Sequence, residues 1–407
     1  MNIWCISKYA SIPQFGAAAR LFYLAKEFVS SNNEVLLITS DSNHLCDFPE
    51  SNERFNRDNQ DGVDIVWIKT KKYKKTASIA RVLSWFDFEI GLFSLNRKKL
   101  GKPDVVIVSS LSLLSIVYGY YLKKKYGAYL VFEIRDIWPL TLVAEGGFSK
   151  RHPLSLFLGI IERFGYRKSD LIVGTMPRLD LHVENVLGET KNVFCSPLGL
   201  DSSQVSNFEI APELDNYFPN NKAIVGYAGS MGTSNALEPF ISCIEQLSGN
   251  TKVHFVLVGD GDMRISYMDR LKSKDNVTFI PKIKQEKVQY FLSKCDVLYL
   301  STHDSEIWKY GQSMNKVVQY MYSGKPVVAS YSGYETMLND AGSGVFIPSN
   351  NTKLLKAALL KYLTMEQSKR EEVGERGTQW IIENRMYSKL AEEYLSTIKA
   401  KILDEIR

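Results

Sequence analysis

Short apolar runs alternate with amphipathic segments along the whole chain. In the first half the apolar runs are "NIWCIS", "EVLLITS", "VDIVWIK", "DVVIVSS", "AYLVFEI", "DLIVGT" and "NVFCSP", and "AARLFYLAKEFVSS" and "LLSIVYGYYLKKKYG" between them have helical periodicity. A second series consists of "AIVGYAGS", "VHFVLVGDG", "VTFIPK", "DVLYLS", "PVVAS" and "GVFIP". Strands that alternate with helices predict a parallel sheet covered on both faces, so two series predict an α/β protein with two Rossmann-like doubly wound domains.

The length and the pattern together give domain bounds. At 407 residues the chain exceeds the size at which single cores stop growing. We predict a first domain over residues 1–199, a second over 222–384, and a C-terminal helix over 385–407 that crosses back to the first. Residues 200–221 lack an apolar period and are predicted to be the linker. Doubly wound domains bind ligands at the carboxyl ends of their strands, which predicts a cleft between the two domains.

The stretch "SMNKVVQYMYSGKPVVAS" (313–330) is typical of a helix followed by a buried strand. Met314, Val317, Val318 and Met321 form one apolar stripe, and Ser313 is the predicted N-cap. Lys316, Gln319, Tyr320 and Ser323 fall on the opposite face. That face either meets solvent or lines a ligand site.

Glycine loops and charges follow several predicted strands. Gly16 in "SIPQFGAAAR" and Gly229 in "YAGSMGTSN" precede helices, where a plain turn and an anion site are both consistent with the residues. "VFEIRDIWP" ends a strand in charged residues, which suit a surface ion pair or, in a cleft, acceptor binding or acid–base chemistry. "LVGDGDMR" sets Arg264 just beyond two glycines, where a cation can meet a phosphate.

Composition excludes several classes of protein. The five cysteines are scattered without a Cys-x-x-Cys pair, and the histidines show no ligand spacing, so no metal site is predicted. The start of the chain lacks the features of a signal peptide, and no apolar run is long enough to span a bilayer. Residues 69–178 hold 20 Lys/Arg against 8 Asp/Glu, which indicates an anionic partner on this part of the chain.

The motifs together resemble a known family. "GAAARLFYLAKEF", "VFEIRDIWP", "ERFGYRKSDLIVGTMP", "VGYAGSMG", "LVGDGDMR" and "SMNKVVQYMYSGKPVVAS" come in the order found in retaining GT-B glycosyltransferases of family four. The chain looks most like the bacterial branch that transfers N-acetylated amino sugars in surface-polysaccharide synthesis. The resemblance implies a GT-B fold, a nucleotide diphosphate sugar on the second domain, an acceptor on the first, and retention without a required metal or resident cofactor.

The same resemblance implies roles for individual residues. Lys316 matches the family lysine that neutralises the diphosphate, and Gly16 matches the loop that approaches the phosphates or the transferred sugar. The donor set implied by position is Gly16, Gly229, Ser230, Arg264, Lys282, Ile283, Lys316 and Gln319. Glu133, Arg135 and Asp136 form the acceptor side, with Asp136 as an alternative base and Arg135 as a group that orients the acceptor; with Lys316 these two make up the catalytic set.

Some positions depart from the family pattern. Its acidic pair falls on Gly311 and Gln319, and the second member of that pair usually holds the ribose. Leu198 replaces a usual asparagine.

The sequence therefore predicts transfer of a sugar, an N-acetylated hexosamine from a UDP donor, to a lipid-linked or saccharide acceptor. Two other readings remain open: a GT-B nucleotide-sugar epimerase, and a non-catalytic partner of another transferase. The expected location is cytoplasmic, and no nucleic-acid partner is expected. A second hypothesis is attachment to an anionic membrane surface through residues 69–93, where six cations from Lys69 to Arg81 precede Trp85, Phe86 and Phe88. The alternative for that segment is a core helix after a solvated loop.

Overall fold

The computed structural model describes residues 1–16, 19–42, 48, 51, 53–73, 78–206 and 208–406. The chain divides into two compact units, one made of Met1–Pro197 with Tyr387–Arg407 and the other of Leu198–Met386.

The first unit is built on an eight-stranded sheet with the order β3-β4-β2-β1-β5-β6-β7-β8. Its strands are β1 (Asn2–Ile6), β2 (Glu34–Ser40), β3 (Phe55–Gln60), β4 (Val63–Ile68), β5 (Val105–Ser109), β6 (Tyr129–Ile134), β7 (Leu171–Gly174) and β8 (Val193–Cys195). Its helices up to residue 197 are α1 (Arg20–Ser30), α2 (Ile79–Ser94), α3 (Ser115–Tyr126), α4 (Leu140–Ala144), α5 (Pro153–Lys168) and α6 (Leu179–Leu187). The pairing is parallel except for β3, which runs antiparallel to β4 at the edge.

The second unit contains a six-stranded parallel sheet with the order β11-β10-β9-β12-β13-β14. The strands are β9 (Ala223–Ala228), β10 (Val253–Val258), β11 (Val277–Ile280), β12 (Val297–Ser301), β13 (Val327–Ser330) and β14 (Gly344–Ile347). Its helices are α7 (Ser202–Ser206), α8 (Glu238–Gln246), α9 (Arg264–Leu271), α10 (Val288–Ser293), α11 (Asn315–Tyr322), α12 (Met337–Ala341), α13 (Thr352–Leu363) and α14 (Gln367–Asn384). The last helix, α15 (Tyr387–Ile406), belongs to the first unit.

Helices cover both faces of the first sheet because its central strands are apolar on both sides. Ile3 and Cys5 of β1 pack in one core with residues of α1 and α15. On the other face, α3 approaches so closely that a Cβ on Gly119 would lie 2.6 Å from a methyl of Val108. The helices α2, α3 and α5 form this second layer, each in contact with the sheet.

Two local predictions are corrected. Strand β3 is absent from the apolar pattern because it is a polar edge strand, "FNRDNQ", which pairs with β4. Residues 200–221 are not a free linker, since Leu200, Ala211 and Leu214 are buried in the core of the second unit. This segment contains α7 and a short 3-10 helix, Pro212–Tyr217, in which Leu214 is buried.

Candidate active site

Two glycine loops pack against each other at the carboxyl ends of β9 and β10. The Gly229 amide donates to the Val258 carbonyl at 3.0 Å, and the Met231 amide donates to the Asp260 carbonyl at 2.8 Å. A Cβ on Gly259, whose φ is +144°, would lie 1.9 Å from the Gly229 carbonyl oxygen. Only glycine fits this position, and the close approach fixes the path of both loops.

Lys316 of α11 reaches this glycine loop. Its Nζ donates to Tyr227 Oη at 3.0 Å and to Asn235 Oδ1 at 3.5 Å, and it lies 4.4 Å from the centre of the Tyr227 ring. A Cβ on Gly229 would be only 2.7 Å from the ammonium. The glycine therefore leaves the space that the lysine head group occupies.

The Lys316 ammonium has neutral partners. No carboxylate of the described residues pairs with it, and burial lowers its pKa from 10.5 to about 8. Taking a cation out of water without a counter-charge is unfavourable unless a ligand supplies that charge. A buried cation of this kind is typical of an anion site whose ligand is negatively charged.

Tyr320 fixes the helix that carries Lys316. Its hydroxyl donates to the Ala228 carbonyl at 3.0 Å and accepts from the Ala228 amide at 2.7 Å, so α11 is tied to the end of β9. The helical wheel put Tyr320 on the polar face, and this is wrong: it is buried with Val317 and Met321. A phenol can be buried there because both backbone groups of Ala228 satisfy it.

The predicted N-cap of α11 is also wrong. The helix begins at Asn315 after Met314, which has no side-chain cap. Ser313 Oγ instead accepts from the Leu198 amide at 2.7 Å. The strand that follows, Val327–Ser330, is buried and parallel, as predicted.

The site lies where the strand order of the second sheet reverses. β9 is next to both β10 and β12, and the chain proceeds outward from these two in opposite directions. Ligands of doubly wound sheets bind outside the carboxyl ends of strands at such a point. Side chains on the β12 side join the same loops: Ser301 Oγ donates to the Asn235 carbonyl at 2.7 Å, and a ring nitrogen of His303 lies 2.6 Å from the Thr233 carbonyl.

The other predicted donor residues lie around these loops in the same unit. Ser230 is exposed, and its carbonyl accepts from Tyr227 Oη at 2.5 Å. Arg264 is the first residue of α9, directly after the β10 loop, and its Nε is buried with no hydrogen-bond partner among the described residues. Lys282 is exposed and Ile283 is half-buried, both just after β11. Gln319 is half-buried, and its carbonyl accepts from Gln289 Nε2 at 3.2 Å.

Sequence reasoning missed Tyr227 and Asn235, the two partners of the Lys316 ammonium. Tyr227 is part of an apolar strand run and carries no signal of its own. Asn235 follows the glycine loop in "GTSN", a run of small polar residues that could have marked it as a loop contact.

In the first unit, Glu133 is the centre of a buried ion pair. One carboxylate oxygen accepts from Arg20 Nη1 at 2.7 Å and the other from Ser109 Oγ at 2.7 Å, and both charged side chains are almost fully buried. Arg20 also donates to the Ser196 carbonyl at 2.6 Å. This corrects the prediction that Glu133 faces an acceptor, because both of its carboxylate oxygens accept hydrogen bonds from buried side chains of the same unit.

The neighbouring Asp136 is also engaged. Its oxygens accept from Trp138 Nε1 at 2.8 Å and from Thr141 Oγ1 at 2.5 Å, so the carboxylate holds the turn before α4. A carboxylate with both oxygens occupied by neutral donors is poorly placed to act as a base. Arg135 differs, because its Nη1 is buried without a hydrogen-bond partner among the described residues. Burial, and then the charge of Arg20, lowers the pKa of Arg135.

Gly16 is exposed and follows the short 3-10 helix Pro13–Phe15. Its φ of +131° lies in the region that favours glycine. The approach of Gly16 to a phosphate or sugar stays a prediction.

The 69–93 segment divides into a polar stretch and helix α2. Trp85 and Phe88 are buried in the core, so they do not make the predicted contact with a membrane surface, whereas Phe86 is exposed. Lys74 and Lys75 lie outside the described residues. No helix among the described residues is both long and apolar enough to cross a membrane. Within the described ranges, no group of three or more His, Cys, Asp or Glu side chains is arranged to hold a metal ion.

A known protein family matches most of the second unit. Residues 222–365 match the family model described as Glycosyl transferases group 1. No curated protein matches the sequence. Sucrose-phosphate synthase from Thermosynechococcus elongatus is similar in structure over 99% of this chain and 99% of its own, with a TM-score of 0.74 and 15% identity.

Two other solved structures are similar over almost their whole length. The trehalose-6-phosphate protein from E. coli, bound with UDP-2-fluoro glucose, has a TM-score of 0.70 and 12% identity, over 98% of this chain and 99% of its own. HepE from Anabaena, in complex with UDP and glucose, has a TM-score of 0.65 and 13% identity, over 98% of this chain and 100% of its own. The fold is that of the GT-B glycosyltransferases.

The predicted fold class is therefore confirmed. The match of the second unit to glycosyl transferases group 1, together with this fold, supports a glycosyltransferase of GT-B type. The amino-sugar branch of family four is not represented by these three structures, and it stays a prediction.

Proposed function

We propose that the protein transfers a sugar from a nucleotide diphosphate sugar bound by its second unit. The observation that carries this proposal is the half-buried Lys316 ammonium beside Gly229 at the carboxyl edge of the sheet, where its hydrogen-bond partners among the described residues are the neutral groups of Tyr227 and Asn235. A diphosphate would supply the missing counter-charge. The bound UDP and UDP-2-fluoro glucose in two similar structures support a UDP donor.

The chemistry requires that negative charge on the departing nucleotide be stabilised. A fixed ammonium in a site with little water is an effective way to do this, since its position needs no rearrangement as charge develops. Arg264, the first residue of α9 directly after the β10 loop, is the second cation that we propose to stabilise this charge. We propose that the reaction retains the configuration of the sugar. We also propose that the donor phosphate itself accepts the proton of the acceptor, because both carboxylate oxygens of Asp136 already accept hydrogen bonds from Trp138 and Thr141.

The sugar and the acceptor are proposed in two versions. The family resemblance favours an N-acetylated hexosamine and a lipid-linked or saccharide acceptor for a surface polysaccharide. The similarity to sucrose-phosphate synthase and to the E. coli trehalose-6-phosphate protein favours a sugar phosphate as acceptor. Both versions share the same donor site and differ in the group presented to the first unit.

The proposal is tested first by ligand binding. Thermal stabilisation by a panel of UDP, GDP and ADP sugars identifies the donor, since a ligand that binds only the folded protein raises its melting temperature. Release of nucleotide is then measured with saccharides, hexose phosphates and lipid-linked sugars as acceptors, with and without EDTA. Release that depends on an acceptor supports transfer. Isomerised nucleotide sugar without an acceptor indicates an epimerase, and binding without turnover indicates a non-catalytic partner.

The residue-level test uses Lys316→Ala. Loss of a bond to a charged group costs about 1.5–3 kcal/mol, which predicts about 10- to 150-fold slower turnover. Lys309→Ala is the matched control, because this lysine pairs with Glu306 on the exposed surface of the same unit. Unchanged turnover in Lys316→Ala would contradict the assignment of the donor site.

A further inference from the structure

Helix α2 carries an apolar stripe that the core does not use. Its most exposed apolar residues recur at intervals of four and three: Ile79, Leu83, Phe86, Ile90 and Phe93. Their exposed fractions lie between 45% and 81%. This spacing places them in one line along the helix, about 21 Å long at 1.5 Å per residue. The opposite side of α2, with Trp85, Phe88 and Leu92, already fills the core.

Helix α5 repeats the arrangement in the same layer. Leu156, Phe157 and Ile160 are between 38% and 68% exposed, whereas Leu158 and Tyr166 on the inner side are buried. Helix α3 packs between α2 and α5 and contributes Val117, which is also exposed. We call the exposed apolar residues of these three helices the α2–α5 surface. A run of this kind is larger than the scattered single apolar residues of an ordinary surface and marks an interaction site.

The charges around the α2–α5 surface are almost all positive. Residues 78–99, 115–126 and 149–168 hold twelve Lys/Arg against three Asp/Glu. Each carboxylate already has a partner: Asp87 pairs with Arg54, Glu89 accepts from Ser115, and Glu162 contacts His182.

The cations are concentrated at helix ends. They stand in the last turn of α3 as Lys123–Lys125, in the last turn of α5 as Arg167 and Lys168, and just before α5 as Lys150 and Arg151. Apolar side chains in the middle of the layer and cations at its margins match the two regions of an anionic bilayer, acyl chains and headgroups.

We propose that the α2–α5 surface docks on an anionic lipid bilayer, with α2 and α5 lying in the interfacial region. The occupant is a membrane and not a second copy of this chain, because pairing two such surfaces would bring mainly positive margins together. The carboxylates in and beside the layer are Asp87, Glu89, Glu162 and Asp170, and each already has a partner in its own chain, Asp170 with Lys123. The apolar residues that would enter the bilayer differ from those predicted from sequence. They are Ile79, Leu83, Phe86, Ile90 and Phe93, and not Trp85 or Phe88. The inference does not depend on the transfer reaction, since binding to lipid needs no turnover.

The test is sedimentation of the full chain with vesicles of phosphatidylcholine alone or with 30% phosphatidylglycerol, a composition chosen for its charge. We expect binding to the phosphatidylglycerol vesicles at low salt, weakened but not abolished at high salt because the apolar contact persists. Ile90→Asp and Ile160→Asp are each expected to lower the partition coefficient at least tenfold. Both sites are exposed, so circular dichroism is expected to show an unchanged fold.

Leu403→Asp is the matched control. Leu403 is 60% exposed on α15, and α15 lies with α1 on the opposite face of the same sheet. Its partition coefficient is expected to equal that of the wild type. No binding to anionic vesicles at low salt, or equal loss in Leu403→Asp, would overturn the proposal. Sedimentation equilibrium that shows a dimer dissociated by Ile90→Asp would assign the surface to a second copy instead.

Discussion

The state of the Lys316 ammonium predicts how nucleotide binding depends on pH. In the free protein burial holds its pKa at about 8, below the ordinary 10.5, since Tyr227 and Asn235 supply no negative charge. A diphosphate beside Nζ would stabilise the charged form and raise that pKa again. Binding of UDP is therefore expected to be coupled to uptake of a proton by this lysine.

The magnitude follows from the fraction of free protein that carries the proton. With a pKa of about 8, the ammonium form makes up roughly nine tenths of the protein at pH 7, one half at pH 8 and one tenth at pH 9. If the anion binds the charged form, affinity falls about tenfold from pH 7 to pH 9, which is about 1.4 kcal/mol. The direction is fixed: affinity is close to full at pH 7 and decreases as the pH rises through 8, because a growing fraction of the free protein must gain a proton to bind.

Calorimetric titration of UDP measures this coupling. At pH 8, titrations in two buffers of different ionisation enthalpy are expected to show uptake of about half a proton for each UDP bound. Lys316→Arg is the control, because a guanidinium stays charged throughout the range and leaves only the titration of the nucleotide itself. The pH dependence of the wild type minus that of the variant is the contribution of Lys316.

Two results would refute the reasoning. One is the same decline in affinity from pH 7 to pH 9 in the wild type and in Lys316→Arg. The other is heat at pH 8 that does not change with the buffer, because no proton would then be taken up. Either result would place the diphosphate away from Lys316.

Three further predictions concern the same structure. Without ligand at pH 7, Lys316→Met is expected to melt at a higher temperature than the wild type, because it removes a charge that burial disfavours. The difference should shrink above about pH 8, where Lys316 of the ligand-free folded protein loses its proton, and an equal or lower melting temperature of the variant at pH 7 would contradict this. Gln319→Ala is expected to weaken UDP binding by about 1 kcal/mol, roughly fivefold, whereas Gln319→Glu keeps or tightens it; equal affinities by calorimetry would show that Gln319 does not touch the nucleotide. Glu133→Ala is expected to lower the free energy of unfolding by about 3–5 kcal/mol in urea titrations, because it leaves Arg20 buried without its counter-charge. The control Asp180→Ala, which breaks the exposed pair with Arg178, is expected to change this free energy by less than about 1 kcal/mol, and a similar loss in both variants would contradict the prediction.

The alternation of apolar runs and helices was sufficient to predict two parallel sheets in two Rossmann-like domains, and the resemblance of the motifs to a known family added the GT-B class. Strands such as Ile3–Ile6 and Val105–Val108 are buried on both faces, and only a parallel sheet between two layers of helices satisfies them. Lys316 could also be singled out in advance, since a lysine on the polar side of a helix next to a buried strand is a local pattern.

The sequence alone did not determine which polar residues form hydrogen bonds or ion pairs with each other inside the core. Glu133 and Arg20 are separated by 113 positions, and only the packing of β6 beside α1 and β5 makes them a buried pair. The prediction for Tyr320 was wrong because a helical wheel uses only the sequence of the helix. It contains no information about the end of β9, where the backbone groups of Ala228 form hydrogen bonds with the Tyr320 hydroxyl.

The two faces of α2 show the same division. Its sequence is apolar nearly all round, so hydrophobicity alone could not say which aromatic residues are core and which are surface. The layer of helices decided it: Phe88 turns toward the sheet and Phe86, two residues away, toward solvent. Local sequence sets where apolar side chains lie along an element, but burial depends on the neighbours that the tertiary fold brings to each face, and these come from distant parts of the chain.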